Sequence, residues 1–288
     1  MDIDKSVLLI GCGDLATRAG LQLITEGFKV TAVRRNTSLL PAEFDAMPAD
    51  ITRPETLLKL QGRIFDLAII SLTPDGRSED DYRQVYLDGL KKVLSVLSDC
   101  PPALTIFVSS TSVYHQNDGE WVDECSTTVP RRFNGQVMLE AEQLIQTYCQ
   151  RSIILRLGGI YGPERIHLLR QVVNGDRCED LTAAYSNRIH IEDAARILVF
   201  LGLQSFNNIE LASCYLGVDS TPVLLTELVN WLADELALDT VSGRHIRRSS
   251  ANRQCSNKRL LDSGFILRYP DYKSGYRQVL ALNQLAPE

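Results

Sequence analysis

The chain has 288 residues, 44% of them hydrophobic and 23% charged, which is typical of a globular protein that buries a full core. The net charge of −6 argues against a nucleic-acid partner, and we interpret the one basic run, Arg244–Arg248, as solvated surface. No apolar run reaches membrane-spanning length, and the first residues lack the charged and apolar blocks of a signal peptide. We therefore expect a cytoplasmic protein that acts on a small molecule and has no membrane partner.

Seven cysteines are scattered along the chain, at positions 12, 100, 125, 149, 178, 214 and 255. None of them forms a Cys-x-x-Cys pair, so the sequence predicts neither a zinc site nor a thioredoxin-like redox centre. No other cluster of metal-ligating residues stands out in the sequence. We expect no bound metal.

Short apolar runs alternate with helical patterns along the first half of the chain. Val7–Ile10 is a continuous apolar run that ends in glycine, as a buried parallel strand does. Further strands are predicted at Lys29–Val33, Phe65–Leu72, Leu104–Ser110 and Ser152–Leu157. A helical pattern with Leu15, Ala19 and Leu23 on one face follows the first strand and stops at Gly27. Helices are also predicted over Asp80–Leu97 and over Asn134–Cys149, where Val137, Ala141, Leu144, Ile145 and Tyr148 share a face. The alternation predicts an α/β fold with a doubly wound parallel sheet of the Rossmann type.

The pattern loosens after about Gly162, and this change suggests a second, smaller α/β lobe. We predict a Rossmann domain over residues 1–162, a smaller substrate-binding lobe over residues 163–288, and a return of residues 186–216 to the sheet. Within the lobe, Leu224–Leu236 carries a stripe of leucines at helical spacing.

The residues that follow the first strand have the pattern Gly-x-Gly-x-x-Ala and open a helix. In this context Gly11 permits a tight turn, and Gly13 lets the backbone approach a pyrophosphate. Asp14 and Leu15 begin the helix, whose unpaired amides face the anion, while Ala16 keeps the helix close to the sheet. The pattern predicts a dinucleotide site, and a tight turn without a ligand is the alternative interpretation.

The end of the second strand indicates which dinucleotide is bound. An NAD enzyme places an acid there for the ribose hydroxyls, whereas this chain has Arg34 and Arg35. Two guanidiniums suit a 2′-phosphate, so the sequence favours NADP, with NAD still possible; arginines that only solvate a loop are the alternative. From the order of strands in such folds, we place Asp50-Ile51 near the adenine and Leu72-Thr73 along the phosphates and ribose.

Four later stretches of the chain are Val108–Tyr114, Leu139–Leu144, Leu155–Pro163 and Arg188–Ala194. In order and spacing, over most of the chain, they resemble the extended short-chain dehydrogenase/reductases, the NAD-dependent epimerase/dehydratase family. The glycine pattern departs from the usual Gly-x-x-Gly-x-x-Gly of the family, which indicates an atypical branch.

The resemblance implies a catalytic tyrosine and a lysine four residues later on the same helix, where both face the nicotinamide. Alignment through the second stretch puts Asn134 and Met138 at these two positions, and neither side chain can transfer the proton. A shift of one residue gives Phe133 and Val137, which are no better. The string Tyr269–Lys273 has the right spacing, but proline follows its tyrosine, and we treat it as a coincidence.

Further site residues follow from the same resemblance. Ser110 matches the Ser or Thr that positions the substrate oxygen, with Thr111 beside it, and a hydroxyl that caps the strand end is the alternative. The other candidates are Ser109 and Gly158 at the cofactor, and Ser112, Tyr114 and Tyr161 at the substrate. Either tyrosine is a candidate substitute acid, and a packing role is the alternative for both.

The fourth stretch contains His190 and Asp193, and the third contains Arg156. The resemblance implies that His190 and Asp193 join the two lobes by hydrogen bonds, so we interpret His190 as structural. Arg156 is expected to be a buried, paired arginine.

Two hypotheses about function follow. The first is an NADP-dependent enzyme of the epimerase, dehydratase or reductase kind, acting on a small polar or nucleotide-linked substrate. The second is a non-catalytic module that binds or senses NADP(H). The family also implies a possible homodimer through the helices around residues 80–98 and 134–149.

Overall fold

The structure is a computed structural model, and it describes residues 5–175, 184–207, 209–238 and 252–283. The basic run at residues 244–248 and Cys178 lie outside these ranges. The other cysteines are all free thiols. No helix in the described part of the chain is both long and apolar enough to cross a membrane.

A seven-stranded sheet forms the core of the fold, with the strand order β11-β7-β5-β4-β1-β2-β3. Strand β1 lies between β2 and β4, and both neighbours run parallel to it, with Ile10 opposite Val33 on one side and Ile70 on the other. The strands are β1 (Ser6–Ile10), β2 (Lys29–Arg34), β3 (Asp45–Pro48), β4 (Leu67–Ile70), β5 (Leu104–Ser110), β7 (Ser152–Leu157) and β11 (Cys214–Gly217). This parallel sheet, which reverses its order at β1, confirms the predicted Rossmann fold.

The apolar runs in the sequence become the strands of this sheet because both faces of a parallel sheet are covered. Residues Val7–Ile10 have no exposed surface. Observed β5 and β7 have the predicted bounds, whereas the predicted run Phe65–Leu72 contributes only its central residues to β4. Phe65 and Leu72 are still buried, because they pack at the two ends of the strand.

The helices of the described residues are α1 (Asp14–Thr25), α2 (Pro54–Leu57), α3 (Glu79–Arg83), α4 (Leu90–Leu97), α5 (Phe133–Tyr148), α6 (His167–Val173), α7 (Ile191–Phe206), α8 (Leu225–Glu235), α9 (Lys258–Asp262) and α10 (Tyr272–Leu282). Helices α1 to α5 lie between strands of the sheet along the chain, and α7 precedes β11. Gly27, the predicted stop after α1, has a φ of +86°, a conformation that favours glycine. The helix predicted over residues 80–97 is interrupted by a π-helical segment, Gln84–Gly89, between α3 and α4.

The predicted apolar face of α5 is largely correct. Val137, Ala141 and Ile145 are buried, and Leu144 is partly buried. Tyr148 is 66% exposed, so that part of the prediction is wrong. The helix ends at Tyr148, and its last turn leaves this ring in solvent.

The chain divides into two compact units. The first contains residues 1–113, 128–156 and 195–215, and the second contains residues 114–127, 157–194 and 216–288. Before the returning segment, the first unit ends at residue 156, whereas the expected boundary is residue 162. The segment that returns to the first unit is 195–215, whereas 186–216 is expected.

Short strand pairs and a helical core make up the second unit. The strands are β6 (Trp121–Val122), β8 (Gly159–Tyr161), β9 (Tyr185–Ser186), β10 (Arg188–His190), β12 (Val223–Leu224) and β13 (Gln254–Cys255). Strand β10 pairs with β8, β12 with β9, and β13 with β6. The predicted leucine stripe lies on α8, where Leu225, Leu228 and Leu232 are buried in an apolar cluster with residues of α6 and α10.

Candidate functional site

The turn between β1 and α1 is fixed by close backbone packing at Gly11. This residue has a φ of +76°, and a Cβ atom there would lie 2.5 Å from the carbonyl oxygen of Ser71, just beyond β4. The amides of Gly11 and Cys12 both donate to the carbonyl of Val33 in β2, at 3.2 and 3.1 Å. The turn is therefore held between the ends of β2 and β4, where the strand order reverses and Rossmann folds bind nucleotides.

The first turn of α1 has no side-chain cap among the described residues. Gly13 is its N-cap in an extended conformation. A Cβ atom on Gly13 would meet nothing closer than the Gly11 carbonyl oxygen at 3.9 Å, so the space before the helix is open. Ala16 is fully buried, which keeps α1 against the sheet. Uncapped amides that face open space fit the diphosphate of a dinucleotide.

The two arginines at the end of β2 take different partners. Arg34 is partly buried, and one guanidinium nitrogen donates to the Cys12 carbonyl at 3.2 Å, so its charge lies on the glycine turn. Arg35 is exposed and forms a two-pronged ion pair with Asp75, a residue that the sequence analysis missed. Hydrogen bonding to Arg35 holds the pKa of Asp75 below its usual range. The available signal was the position of Asp75 in the polar loop after β4.

The predicted cofactor residues that follow β3 and β4 lie in loops at the same edge of the sheet. Asp50 turns its Oδ1 atom back onto Thr52, accepting from the backbone amide at 2.9 Å and the hydroxyl at 2.7 Å. The Leu72 carbonyl accepts a hydrogen bond from the Tyr86 hydroxyl at 3.0 Å. The side chain of Leu72 packs beside Gly11, whereas Thr73 is exposed. The loop after β4 therefore lies next to the glycine turn.

The end of β5 is tied to α5 by a buried ion pair. The Ser109 hydroxyl donates to Glu142 at 2.5 Å, and Arg156 donates to both carboxylate oxygens of Glu142, at 3.0 and 2.7 Å. All three residues are buried, and Arg156 is paired as the sequence predicted. The Ser109 side chain therefore serves this network, and only its backbone could face a cofactor.

The predicted catalytic hydroxyls lie in the turn that follows β5. Ser110 Oγ accepts the backbone amide of Ser112 at 3.1 Å, which is the capping role considered above, but the hydroxyl hydrogen can still be donated. Thr111 and Ser112 begin the short 3₁₀ turn and are both partly buried.

Helix α5 begins against this same turn. A Cβ atom at Gly135 would lie 2.3 Å from the Ser112 carbonyl oxygen, so the helix and the turn are in direct backbone contact. Asn134 precedes this contact and is partly exposed, whereas Met138, one turn later, is only 5% exposed. The two residues at the expected tyrosine and lysine positions thus lie on the part of α5 beside Ser110–Ser112.

The two candidate tyrosines belong to the second unit. The Tyr114 hydroxyl donates to the Asp123 carbonyl at 2.7 Å. Tyr161 is 1% exposed, stacks on Tyr276 with ring centroids 4.3 Å apart, and has a pKa raised by burial. Tyr114 is also buried, and burial favours a packing role for both tyrosines. A Cβ atom at Gly158 would lie 2.7 Å from the Asn187 carbonyl oxygen, so this glycine is required for packing within the same unit.

Asp193 and His190 have hydrogen-bond partners within the second unit, so these contacts do not join the two units as expected. The Asp193 carboxylate accepts the backbone amides of Arg268 and Tyr269, at 2.9 and 2.8 Å. The His190 ring lies 3.2 Å from the side-chain oxygen of Gln278. Tyr269 precedes α10, so it does not share a helix with Lys273 in the way a catalytic pair requires.

No group of three or more metal-ligating side chains occurs among the residues that the structure describes.

We compared the sequence and the structure with those of known proteins. No protein-family model and no curated protein matches the sequence. A solved structure from Methylobacillus flagellatus, classed as an NAD-dependent epimerase/dehydratase, is 34% identical over 98% of this chain and 100% of that one, with a TM-score of 0.85. The chain belongs to the NAD-dependent epimerase/dehydratase family.

More distant members share the fold with this epimerase/dehydratase family protein. The UDP-glucose 4-epimerase of Thermotoga maritima, solved with UDP-glucose, is 14% identical over 97% of this chain and 98% of its own, with a TM-score of 0.80. The UDP-glucose 4-epimerase of Thermus thermophilus, solved with NAD, is 14% identical over 98% of both chains, with a TM-score of 0.78. The predicted membership of the extended short-chain dehydrogenase/reductases is confirmed.

Proposed function

We propose that this protein binds NADP(H) at the glycine turn and acts as an epimerase, dehydratase or reductase on a small polar or nucleotide-linked substrate. The observation that carries the proposal is the uncapped first turn of α1, which opens onto empty space at Gly13 with the Arg34 guanidinium on the same turn. A cation and several amides that converge on one space favour a diphosphate.

The choice of NADP over NAD is supported by charge. Arg34 and Arg35 stand where an NAD enzyme has an acid, and guanidiniums bind a 2′-phosphate through charge and paired donors. NAD remains within the proposal because Arg35 is already paired with Asp75. The Thermus thermophilus relative is a complex with NAD.

The proposed site residues hold and orient the ligands. When bound, the nicotinamide supplies the hydride chemistry. Ser110 donates its hydroxyl hydrogen to the substrate oxygen, and Thr111 and Ser112 shape the turn beside it. Asn134 can donate a hydrogen bond to the same oxygen but cannot supply its proton, and the buried thioether of Met138 has no proton to give.

A proton donor must therefore come from outside the aligned pair, from the substrate or from water. The loss of a general acid costs about 10²–10⁴ in rate. We accordingly expect a slow reaction, or a substrate that needs little acid assistance. The substrate class is drawn from the UDP-glucose in the Thermotoga maritima structure, which is a nucleotide-linked sugar.

A non-catalytic NADP(H)-binding or sensing module is the second candidate. It is favoured by Met138, which fills the lysine position with a buried apolar side chain. A cytoplasmic location and a homodimer formed through α3, α4 and α5 stay predictions.

The substitution Gly13→Ala tests the cofactor site. The added methyl group meets no protein atom within 3.9 Å, so we expect the free energy of unfolding to change by less than about 1 kcal/mol. The same methyl group enters the space proposed for the diphosphate, so calorimetry should show NADP⁺ affinity falling by about tenfold or more. The proposed site would be contradicted if the wild-type protein gave no heat of binding at millimolar NADP⁺. It would also be contradicted if the variant bound NADP⁺ as tightly as the wild type.

Turnover separates the two candidate functions. Wild-type protein is incubated with NADPH and a panel of carbonyl compounds and nucleotide-linked sugars, and product is measured by mass spectrometry beside loss of NADPH absorbance. If the wild-type protein forms product and Ser110→Ala forms it more slowly, the enzyme hypothesis is supported. Tight binding of NADPH without any product supports the sensing module.

A further inference from the structure

Arg35 and Asp75 form an ion pair between the segments that follow β2 and β4. Arg35 directly follows β2, Asp75 lies in the loop after β4, and β1 with its glycine turn runs between these two strands. One terminal guanidinium nitrogen of Arg35 donates to one carboxylate oxygen of Asp75, and the other nitrogen donates to the second oxygen. The side chains are 59% and 72% exposed, so solvent and a ligand can reach the pair.

The Arg35 guanidinium lies near two carboxylates. Asp75 is bonded to Arg35, and Asp50 also lies close enough to raise the pKa of the Arg35 guanidinium. Arg34, the neighbouring cation, is directed to the Cys12 carbonyl. The fork of donors on Arg35 that suits a phosphate is thus already occupied by a carboxylate, and the carboxylate itself carries a negative charge.

We propose that Asp75 sets the choice between NADP and NAD by competing with the ribose 2′-phosphate for Arg35. This inference rests on the proposed function of the glycine turn. A 2′-phosphate must displace Asp75 to take the guanidinium fork, whereas the 2′-hydroxyl of NAD makes no such demand. Asp75 therefore weakens NADP binding and leaves NAD binding nearly unchanged. As a result, the protein prefers NADP over NAD less strongly than the two arginines alone would make it.

The substitution Asp75→Asn tests the inference directly. An amide keeps the size of the side chain but gives up the charge and the paired acceptors, so Arg35 becomes available to the phosphate. By calorimetry at low ionic strength, we expect the dissociation constant for NADP⁺ to fall by about fivefold, the range of exposed ion pairs, and that for NAD⁺ to change by less than about twofold.

Asp45→Asn is the matched control. Asp45 forms a similarly exposed pair with Arg63, but it begins β3, at the opposite end of the strand from the β2 terminus. This variant removes the same charge from the protein, so it should leave both dissociation constants unchanged. An equal gain in NADP⁺ affinity in the control would assign the effect to net charge and overturn the proposal.

The route through Arg35 is tested by a double variant. Arg35→Ala should weaken NADP⁺ binding, and Asp75→Asn should bring no further gain in that background, because the two residues act as a pair. The proposal would be overturned if Asp75→Asn raised NADP⁺ affinity equally well in the Arg35→Ala background, or if it did not raise NADP⁺ affinity on its own. It would also be overturned if Asp75→Asn raised NAD⁺ affinity as much as NADP⁺ affinity. Failure of the wild-type protein to bind either dinucleotide would instead contradict the proposed function itself.

Discussion

At the scale of single residues, Gly11 and Gly13 have different reasons to be glycine. Gly11 needs a positive φ and a close approach to the Ser71 carbonyl, whereas Gly13 has an ordinary extended backbone and open space before it. The first glycine is required by the fold, and the second by what we propose the site to bind. The two requirements can be separated by experiment.

Gly11→Ala should destabilise the protein more than Gly27→Ala. Both residues have a positive φ, but a Cβ atom at Gly27 meets nothing within 4 Å. The Gly27 variant should therefore lose about 1–2 kcal/mol from backbone strain alone. At Gly11 the contact with Ser71 adds about 1–3 kcal/mol more. Urea unfolding measures both, and equal losses would show that the turn relaxes without cost.

At the scale of secondary-structure elements, α5 is joined to the sheet by Glu142. This carboxylate accepts the Ser109 hydroxyl from β5 and pairs with Arg156 from β7. The same helix packs its Gly135 onto the turn that carries Ser110 and Ser112. The network thus holds α5 against the strands that lead to the candidate hydroxyls.

Glu142→Gln should cost about 3–5 kcal/mol in the free energy of unfolding, because it leaves the buried Arg156 charge without its carboxylate. Glu140→Gln on the same helix is the control, since Glu140 pairs with Arg83 on the surface and should cost no more than about 1 kcal/mol. Chemical denaturation of both variants gives the comparison. Similar losses would mean that the buried pair adds nothing beyond a surface one.

At the scale of the whole molecule, the pH dependence of stability is set in part by Asp219 in the second unit. Its side chain is 1% exposed, and Oδ1 accepts the Thr221 amide at 3.1 Å. Burial raises the pKa of Asp219 to about 8, opposed by the Thr221 amide and Arg188 and helped by Asp271 and Asp193. The folded chain therefore holds this proton at neutral pH.

The stability that the neutral Asp219 carboxyl provides is complete below about pH 4, where the unfolded group is also protonated. It is lost as the pH rises from there towards 8, because the unfolded chain releases the proton first. Asp219→Asn cannot ionise, so from pH 5 to pH 7 its stability relative to the wild type should rise by at least about 1 kcal/mol. Urea midpoints across this range measure the difference, and parallel profiles would contradict the assignment.

Asp45→Asn is the control for this pH series. Arg63 holds the pKa of Asp45 below its usual range, so that carboxyl stays ionised in both states above pH 5. The difference between this variant and the wild type should be constant from pH 5 to pH 7.

The sequence alone determined the fold class and the place of the glycine turn between β1 and α1. Leu104–Ser110 and Ser152–Leu157 are strands with the predicted bounds, and the turn at Gly11 has the predicted context. These signals are local. A strand covered on both faces is a continuous apolar run, and a left-handed turn needs glycine, whatever the rest of the chain does.

Only the tertiary structure decided where individual side chains point. Asp75 reaches Arg35 across a sequence separation of 40 residues, and Ser109 turns to Glu142 rather than to the cofactor space. Tyr161 is buried against Tyr276, whereas Tyr148 lies in solvent despite its place in an apolar pattern. Periodicity reports which residues share a face, but the partner that covers each face comes from a distant segment. The direction and pairing of a polar side chain are therefore set by contacts that no local pattern contains.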